Sequence, residues 1–72
     1  MNAYIVLEMR NDDIVNVTTY TEDKKQEAED YFREIASDAD PDLTESELEI
    51  AVIDGYYEQD EWIVRLLTSE LV

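Results

Sequence analysis

Two short runs rich in β-branched and aromatic residues, 3–9 and 14–20, flank the turn-forming triplet Asn11-Asp12-Asp13. Runs of this kind around turn residues are typical of a β-hairpin. A hairpin decides which side chains share a face, because side chains alternate along each strand. The first twenty residues therefore constrain the core of the whole domain.

The register of this hairpin follows if a three-residue loop pairs Arg10 with Ile14. One face then carries Ile5, Leu7, Met9, Val15, Val17 and Thr19, and we expect it to be the core face. The opposite face carries Tyr4, Val6, Glu8, Ile14, Thr18 and Tyr20. This second face is more apolar than a sheet face in water usually is.

A first helix is predicted after the hairpin. Its apolar positions follow the i, i+3, i+4, i+7, i+8 pattern of one buried stripe, namely Ala28, Tyr31, Phe32, Ile35 and Ala36. Thr21 is expected to cap it, and Glu22 and Asp23 complement the positive end of the helix dipole. The loop composition of residues 38–42 places its end near Ser37.

A second, short helix is predicted from a capping box formed by Thr44 and Glu47. It extends to about Asp54, with Gly55 as a left-handed cap. The alternative is a strand from Leu48 to Ile53, because three residues of that segment are β-branched. We favour the helix.

The last predicted strand covers Glu61 to Thr68, with Trp62, Val64 and Leu66 on one face and Ile63, Arg65 and Leu67 on the other. Residues 56–60 are interpreted as an exposed connection. The expected fold is α+β in ββααβ order, a three-stranded antiparallel sheet with two helices packed on one face. We expect the last strand to pair with the first.

Length and hydropathy predict one small acidic domain over residues 1–72. No stretch approaches the roughly 20 apolar residues of a membrane span. The apolar run Ala3–Leu7 lacks the basic start of a signal peptide, so a cytoplasmic location is expected.

Composition argues against catalysis. The chain has no cysteine, no histidine and a single glycine. It therefore lacks a thiolate nucleophile, the usual general base, the commonest metal ligand and glycine-rich phosphate loops. Close carboxylate pairs are inevitable by chance among twenty acidic residues, and a solvated surface explains them. We expect no enzyme activity, no catalytic residue and no cofactor.

A calcium loop is the one metal site that the spacing suggests. Asp38, Asp40, Asp42 and Glu49 match ligand positions of an EF-hand loop. However, Leu43 stands where that loop needs glycine, and the capping signal at Thr44 places a helix inside the loop. The sequence therefore predicts no specific metal site.

Charge is the strongest functional clue. Twenty acidic and five basic residues give a net charge of −15, which opposes direct binding to nucleic acid or anionic membranes and favours basic partners. Asp23, Glu27, Asp30 and Glu34 are spaced i, i+4, i+7, i+11 and form one row along the first helix, called here the acidic stripe. A row of this kind resembles the phosphates of a nucleic-acid strand, although a solvated helix face would show the same pattern.

An apolar patch is the second clue. In the predicted register Tyr4, Val6, Ile14 and Tyr20, joined by Ile63 and Leu67, form the uncovered face of the sheet. Monomers rarely leave such a patch in water. We expect a homodimer, or another partner, to cover it.

The resulting hypothesis is a small cytoplasmic binding protein whose acidic surface engages a basic protein. In its sharper form it is an inhibitor that mimics nucleic acid in the channel of a DNA- or RNA-binding enzyme, of the kind phages and plasmids use against host defence. The rival is a salt-adapted domain, for example a homodimeric adaptor, whose excess of Asp and Glu serves only solubility.

Overall fold

The computed structural model describes the backbone of residues 2–70 and the side chains of residues 2–69. The fold is α+β. Its elements are β1 (Asn2–Arg10), β2 (Asp13–Thr21), a 3₁₀ turn (Glu22–Lys24), α1 (Lys25–Ala39), α2 (Glu45–Asp54), β3 (Tyr56–Gln59) and β4 (Trp62–Glu70). The strands form one antiparallel sheet in the order β2-β1-β4-β3. The molecule measures 37 × 28 × 15 Å, and its small third dimension reflects two layers, one of helices and one of sheet.

The predicted three-stranded sheet in ββααβ order is wrong, because the sheet has a fourth strand. Residues 56–59, interpreted from sequence as an exposed connection, form β3 and pair with Trp62–Arg65 of β4. Asp60 adopts a left-handed φ of 55°, which allows a tight turn between the two strands. The observed order is ββααββ. The predicted pairing of the first strand with the last is confirmed.

The hairpin register is confirmed away from its turn and wrong beside it. Asn11 and Asp12 both have positive φ, 53° and 68°, so the turn has two residues and Arg10 pairs with Asp13 rather than with Ile14. Val15 is then an extra residue in β2, since Met9 pairs with Ile14 while Glu8 pairs with Asn16. Beyond this bulge the pairing is the predicted one, from Glu8 to Ala3.

The helices cover the face of the hairpin opposite to the predicted one. Val6 is 1% exposed and belongs to a core with Phe32 and Val64, both 0% exposed. The physical reason is the pairing of β1 with β4, which places Val6 beside Leu66 and therefore on the face of Val64. The predicted core residues Ile5, Leu7, Met9 and Val17 lie on the other face.

Glu8 also lies on the covered face, although its charge suggested a solvated one. Only 13% of its side chain is exposed, and it forms an ion pair with Arg10 at 3.3 Å. Arg10 in turn lies 3.8 Å from the centre of the Trp62 ring, a cation–π distance. Burial of Glu8 is therefore compensated by a neighbouring cation.

Both predicted helices are confirmed, and the alternative of a strand over Leu48–Ile53 is wrong. α1 ends at Ala39, slightly beyond Ser37, and it begins only after the 3₁₀ turn. The Thr21 hydroxyl donates to the Asp23 carboxylate at 2.6 Å and does not cap the turn. At α2 the capping box of Thr44 and Glu47 is present, and the left-handed Gly55 (φ 67°) ends the helix.

No helix within residues 2–70 has the length and apolar character that a membrane crossing requires.

Candidate protein-binding surfaces

Residues 22–54, called here the helical layer, hold most of the charge of the molecule. Thirteen of the twenty acidic residues and three of the five basic residues fall in this segment, which gives it a net charge of −10. The sheet and its turns carry the remaining −5. The negative charge is therefore concentrated on the side of the sheet that the helices cover.

The acidic stripe lies on the outer surface of this layer. Glu27, Asp30 and Glu34 are on α1, Asp23 is in the 3₁₀ turn, and all four residues are exposed. The helical rise separates Glu27 from Asp30 by about 4.5 Å and Asp30 from Glu34 by about 6 Å along the axis. The inner side of α1 buries Ala28, Phe32 and Ile35 in the core, so the row stands on a firmly packed helix.

The members of the stripe differ in their local partners. Asp30 accepts hydrogen bonds from Gln26 and Arg33, both at 2.9 Å, whereas Glu27 is 4.0 Å from the Lys24 ammonium. The Thr21 hydroxyl and the backbone N–H of Asp23 itself hold the pKa of Asp23 below its usual value. No ion pair to Glu34 is present among the described side chains. The stripe therefore holds one close ion pair at Asp30, a longer one at Glu27, and a hydrogen bond from a neutral hydroxyl at Asp23.

Arg33 joins the two helices. Its Nη1 donates to Asp30 of α1 and its Nε donates to Glu49 of α2, both at 2.9 Å. The bond to Glu49 raises the pKa of the guanidinium above its ordinary value. Sequence reasoning missed this bridge, because only the i, i+3 spacing of Asp30 and Arg33 is visible locally. The contact with Glu49 depends on how the helices pack.

The second surface is the uncovered face of the sheet, called here the open face. It carries the apolar side chains of Ile5, Leu7, Met9, Val17, Ile63 and Leu67. Val17 is 53% exposed. Arg65 and Glu58 lie on the same face toward the β3 edge, as diagonal neighbours on paired strands.

The predicted apolar patch is therefore divided between the two faces of the sheet. Tyr4, Val6 and Tyr20 lie on the covered face, where Val6 is in the core and the tyrosines pack against it. Ile63 and Leu67 lie on the open face, and Ile14, which is 62% exposed, pairs there with Met9. The prediction that these six residues share one face is therefore wrong, because the pairing of β1 with β4 places them on different faces of the sheet.

The tyrosines have structural partners. The Tyr57 hydroxyl donates to Asp40 at 3.0 Å and ties β3 to the end of α1. Burial, and then this hydrogen bond, raise the pKa of Tyr57. Tyr56 donates to Glu58, which raises the pKa of Tyr56, and Asn16 donates to the Tyr31 hydroxyl at 2.5 Å.

The residues of the suggested calcium loop are engaged elsewhere. Asp38 is within α1, Asp40 accepts from Tyr57 and from the Asp42 backbone, and Glu49 is paired with Arg33. Across the described residues, no group of three or more acidic side chains is arranged to hold a metal ion.

A cleft of about 330 Å³ opens between α2 and the sheet. Tyr4, Lys25, Glu29, Asp54 and Thr68 supply its polar side chains, and Val52, Ile53 and Leu66 its apolar ones. Within the described part of the chain, no hydrogen bond or ion pair connects these polar side chains to one another.

The molecule thus offers two surfaces of opposite character, an acidic helical layer and an apolar open face. No protein-family model, no curated protein and no solved structure matches the chain.

Proposed function

We propose that this chain is a small binding protein whose acidic stripe engages a basic surface of another protein. In the sharper form of the proposal, that surface is the channel of a DNA- or RNA-binding enzyme, which the chain inhibits by occupying it. The observation that carries the proposal is the concentration of charge in the helical layer, where the net charge is −10. Channels that bind nucleic acid neutralise phosphates with Lys and Arg, and the same cations attract carboxylates.

The arrangement of the stripe supports this proposal. Carboxylates about 4.5 to 6 Å apart along a helix form a row comparable to the phosphates of one strand, which recur about every 3.4 Å of duplex axis. α1 is anchored by Phe32 and Ile35 and bridged to α2 by Arg33, so the row is held in place before binding. A preorganised surface loses less conformational entropy on association than a flexible one.

The charge also predicts how binding depends on salt. A surface of net charge −10 accelerates encounter with a basic partner, and that acceleration falls as ionic strength rises. Binding through the stripe should therefore weaken from about 0.1 M to about 1 M salt, where the Debye length falls from about 10 to about 3 Å.

The test is affinity capture by tagged protein from host lysate, followed by competition with a DNA or RNA duplex. The stripe variant replaces Asp23 and Asp30 with Asn and Glu27 and Glu34 with Gln. The control variant makes the same change of four charges at the sheet turns, with Asp12, Asp13 and Asp60 replaced by Asn and Glu61 by Gln. Both variants have the same net charge, and circular dichroism establishes that both are folded.

The proposal predicts a captured nucleic-acid-binding protein that the duplex displaces and that the stripe variant no longer retains, while the control variant still does. Equal loss in both variants would mean that net charge alone governs capture, and would overturn the proposal. Capture of no basic protein by folded protein at low salt would also overturn it and would favour acidity as salt adaptation.

A further inference from the structure

The open face has no covering element within the described residues. Its centre consists of Ile5, Leu7 and Met9 of β1, flanked by Val17 on β2 and by Ile63 and Leu67 on β4. We propose that this face binds a second copy of the chain, sheet against sheet, to form a homodimer with the helical layers on its two outer sides. This inference is independent of the function proposed for the acidic stripe.

Charge distinguishes this face from the rest of the molecule. The chain carries −15, yet among the side chains described, residues 2–69, the charged ones on the open face of the strands are Arg65 and Glu58, which offset each other. A basic partner would find little to bind there, since the acidic residues lie mainly in the helical layer. A second copy offers the same neutral, apolar surface, as a two-fold symmetric interface requires.

Stacking of faces is favoured over pairing of edges. β2 is the long edge strand, and Val15 forms a bulge within it that interrupts the regular ladder. The other edge is β3, which has only four residues. The bulge limits the regular part of the β2 edge to residues 16–21, whereas the open face extends across all four strands.

The area of the face suits a modest dimer. Strands of nine residues are about 30 Å long and lie about 4.8 Å apart. Three such strands and the short β3 give a flat area of roughly 500 Å² per copy, so stacking buries roughly 1,000 Å² in total. This is close to the lower limit for specific interfaces, so we expect a weak dimer.

Electrostatic repulsion does not prevent this association. The helical layer holds −10 of the charge and lies on the far side of its sheet. Stacked sheets are about 10 Å apart, so the two helical layers are separated by more than one Debye length at about 0.1 M salt. The remaining repulsion makes the dimer stronger at high salt, which is opposite to the salt dependence of a stripe-bound complex.

The test is sedimentation velocity over a range of protein concentrations at about 0.1 M and about 1 M salt. Val17→Lys places a charge in the open face at a position that is 53% exposed, and Ile14→Lys repeats the test at a position that is 62% exposed. Ile53→Lys makes the same change on α2, where the side chain is 82% exposed, and is the matched control. Far-ultraviolet circular dichroism establishes that each variant is folded.

We expect a monomer–dimer equilibrium in which Val17→Lys raises the dissociation constant by about tenfold or more, because burial of an unpaired charge is unfavourable. Ile53→Lys should change the dissociation constant of the dimer by no more than about twofold, because this surface substitution lies away from the contact. A wild-type chain that stays monomeric at millimolar concentration in both salts would overturn the proposal. So would a dimer that Ile53→Lys dissociates and the two open-face variants leave intact.

Discussion

Replacement of Arg33 by Met removes the only cation that bridges the two helices in the described structure and keeps most of the aliphatic stem. Arg33 contacts Asp30 and Glu49, each at 2.9 Å, and its own side chain is 23% exposed. Without it, these two carboxylates face each other inside a layer whose net charge changes from −10 to −11. We therefore expect the variant to be less stable, because two ion pairs are lost and the two carboxylates then repel each other.

The magnitude follows from the geometry. An exposed ion pair contributes about 0.2 to 1 kcal/mol, and Arg33 makes two. Because both carboxylates contact one guanidinium, they lie within about 8 Å of each other, and their unscreened repulsion in water is about 0.5 kcal/mol. The expected loss is about 1 to 2 kcal/mol, out of a total of about 4 to 11 kcal/mol for a domain of this length. A loss of that size lowers the melting temperature by roughly 5 to 15 °C.

Urea unfolding at about 0.1 M and about 1 M salt, followed by Trp62 fluorescence, measures this effect. High salt should recover at least about half of the loss, since repulsion between exposed charges is screened. Glu49→Gln alone is the control, and combining it with Arg33→Met should restore part of the stability. A loss that is the same in both salts, or a double variant no more stable than Arg33→Met, would refute the electrostatic explanation and leave packing of the stem as the cause.

Three further predictions concern the elements that hold the two surfaces in place. Gly55→Ala should lower the free energy of unfolding, measured by urea unfolding, by at least about 2 kcal/mol. The reason is that Gly55 has a φ of 67° and that an added Cβ would lie 2.6 Å from the Leu66 carbonyl oxygen. Thr44→Ala should cost about 1 kcal/mol in the same assay, through loss of the capping box, and Thr44→Ser should cost much less. Tyr57 has a raised pKa, so its contribution to stability is complete below its unfolded value of 10.0 and is lost as pH rises through the folded value. The free energy of unfolding of Tyr57→Phe should therefore fall less steeply with pH above 10.0 than that of the wild type, as measured by circular dichroism. A pH profile identical to that of the wild type would contradict the assignment of the raised pKa to Tyr57.

Local signals were sufficient to predict the helices. The spacing of Thr44 and Glu47 located the start of α2, and Gly55 located its end, because capping geometry depends on residues within one turn. The stripe through Ala28 and Phe32 identified the buried side of α1. Because the apolar residues mark the buried side of α1, the acidic stripe was expected on the opposite, exposed side.

The covered face of the sheet could not be predicted in this way. Both faces of the hairpin are apolar, and Glu8 suggested that its own face was solvated. Which face of the hairpin the helices cover depends on the register of β1 with β4, and this pairing brings together residues about sixty positions apart. A shift of one residue in that register would move every side chain of β1 to the other face. Alternation along β1 already places Arg10 beside Glu8, but the burial that this ion pair compensates depends on the helices that cover the face.

The missed strand and the missed bridge have related causes. β3 has four residues, two of them acidic or amide, and no alternation strong enough to mark it as a strand. The Gly55 carbonyl accepts a hydrogen bond from the Leu66 N–H at 2.9 Å, so the chain reaches the free edge of β4 at this point. The residues directly after Gly55 form β3 because that edge offers them hydrogen-bond partners. Arg33 similarly finds Glu49 because of the way α2 packs, so both features are tertiary consequences rather than local ones.

The distribution of charge bears on salt adaptation as the explanation of the acidity. Adaptation to salt through solubility alone gives no reason for acidic residues to avoid one exposed face. Here the helical layer carries −10, whereas the described part of the open face combines a cluster of apolar side chains with one Arg and one Glu. Apolar surface of this composition is stabilised by removal from water, which is the basis of the proposed dimer. Segregation of charge therefore favours two binding surfaces over uniform adaptation, and the opposite salt dependence expected of the two surfaces separates them experimentally.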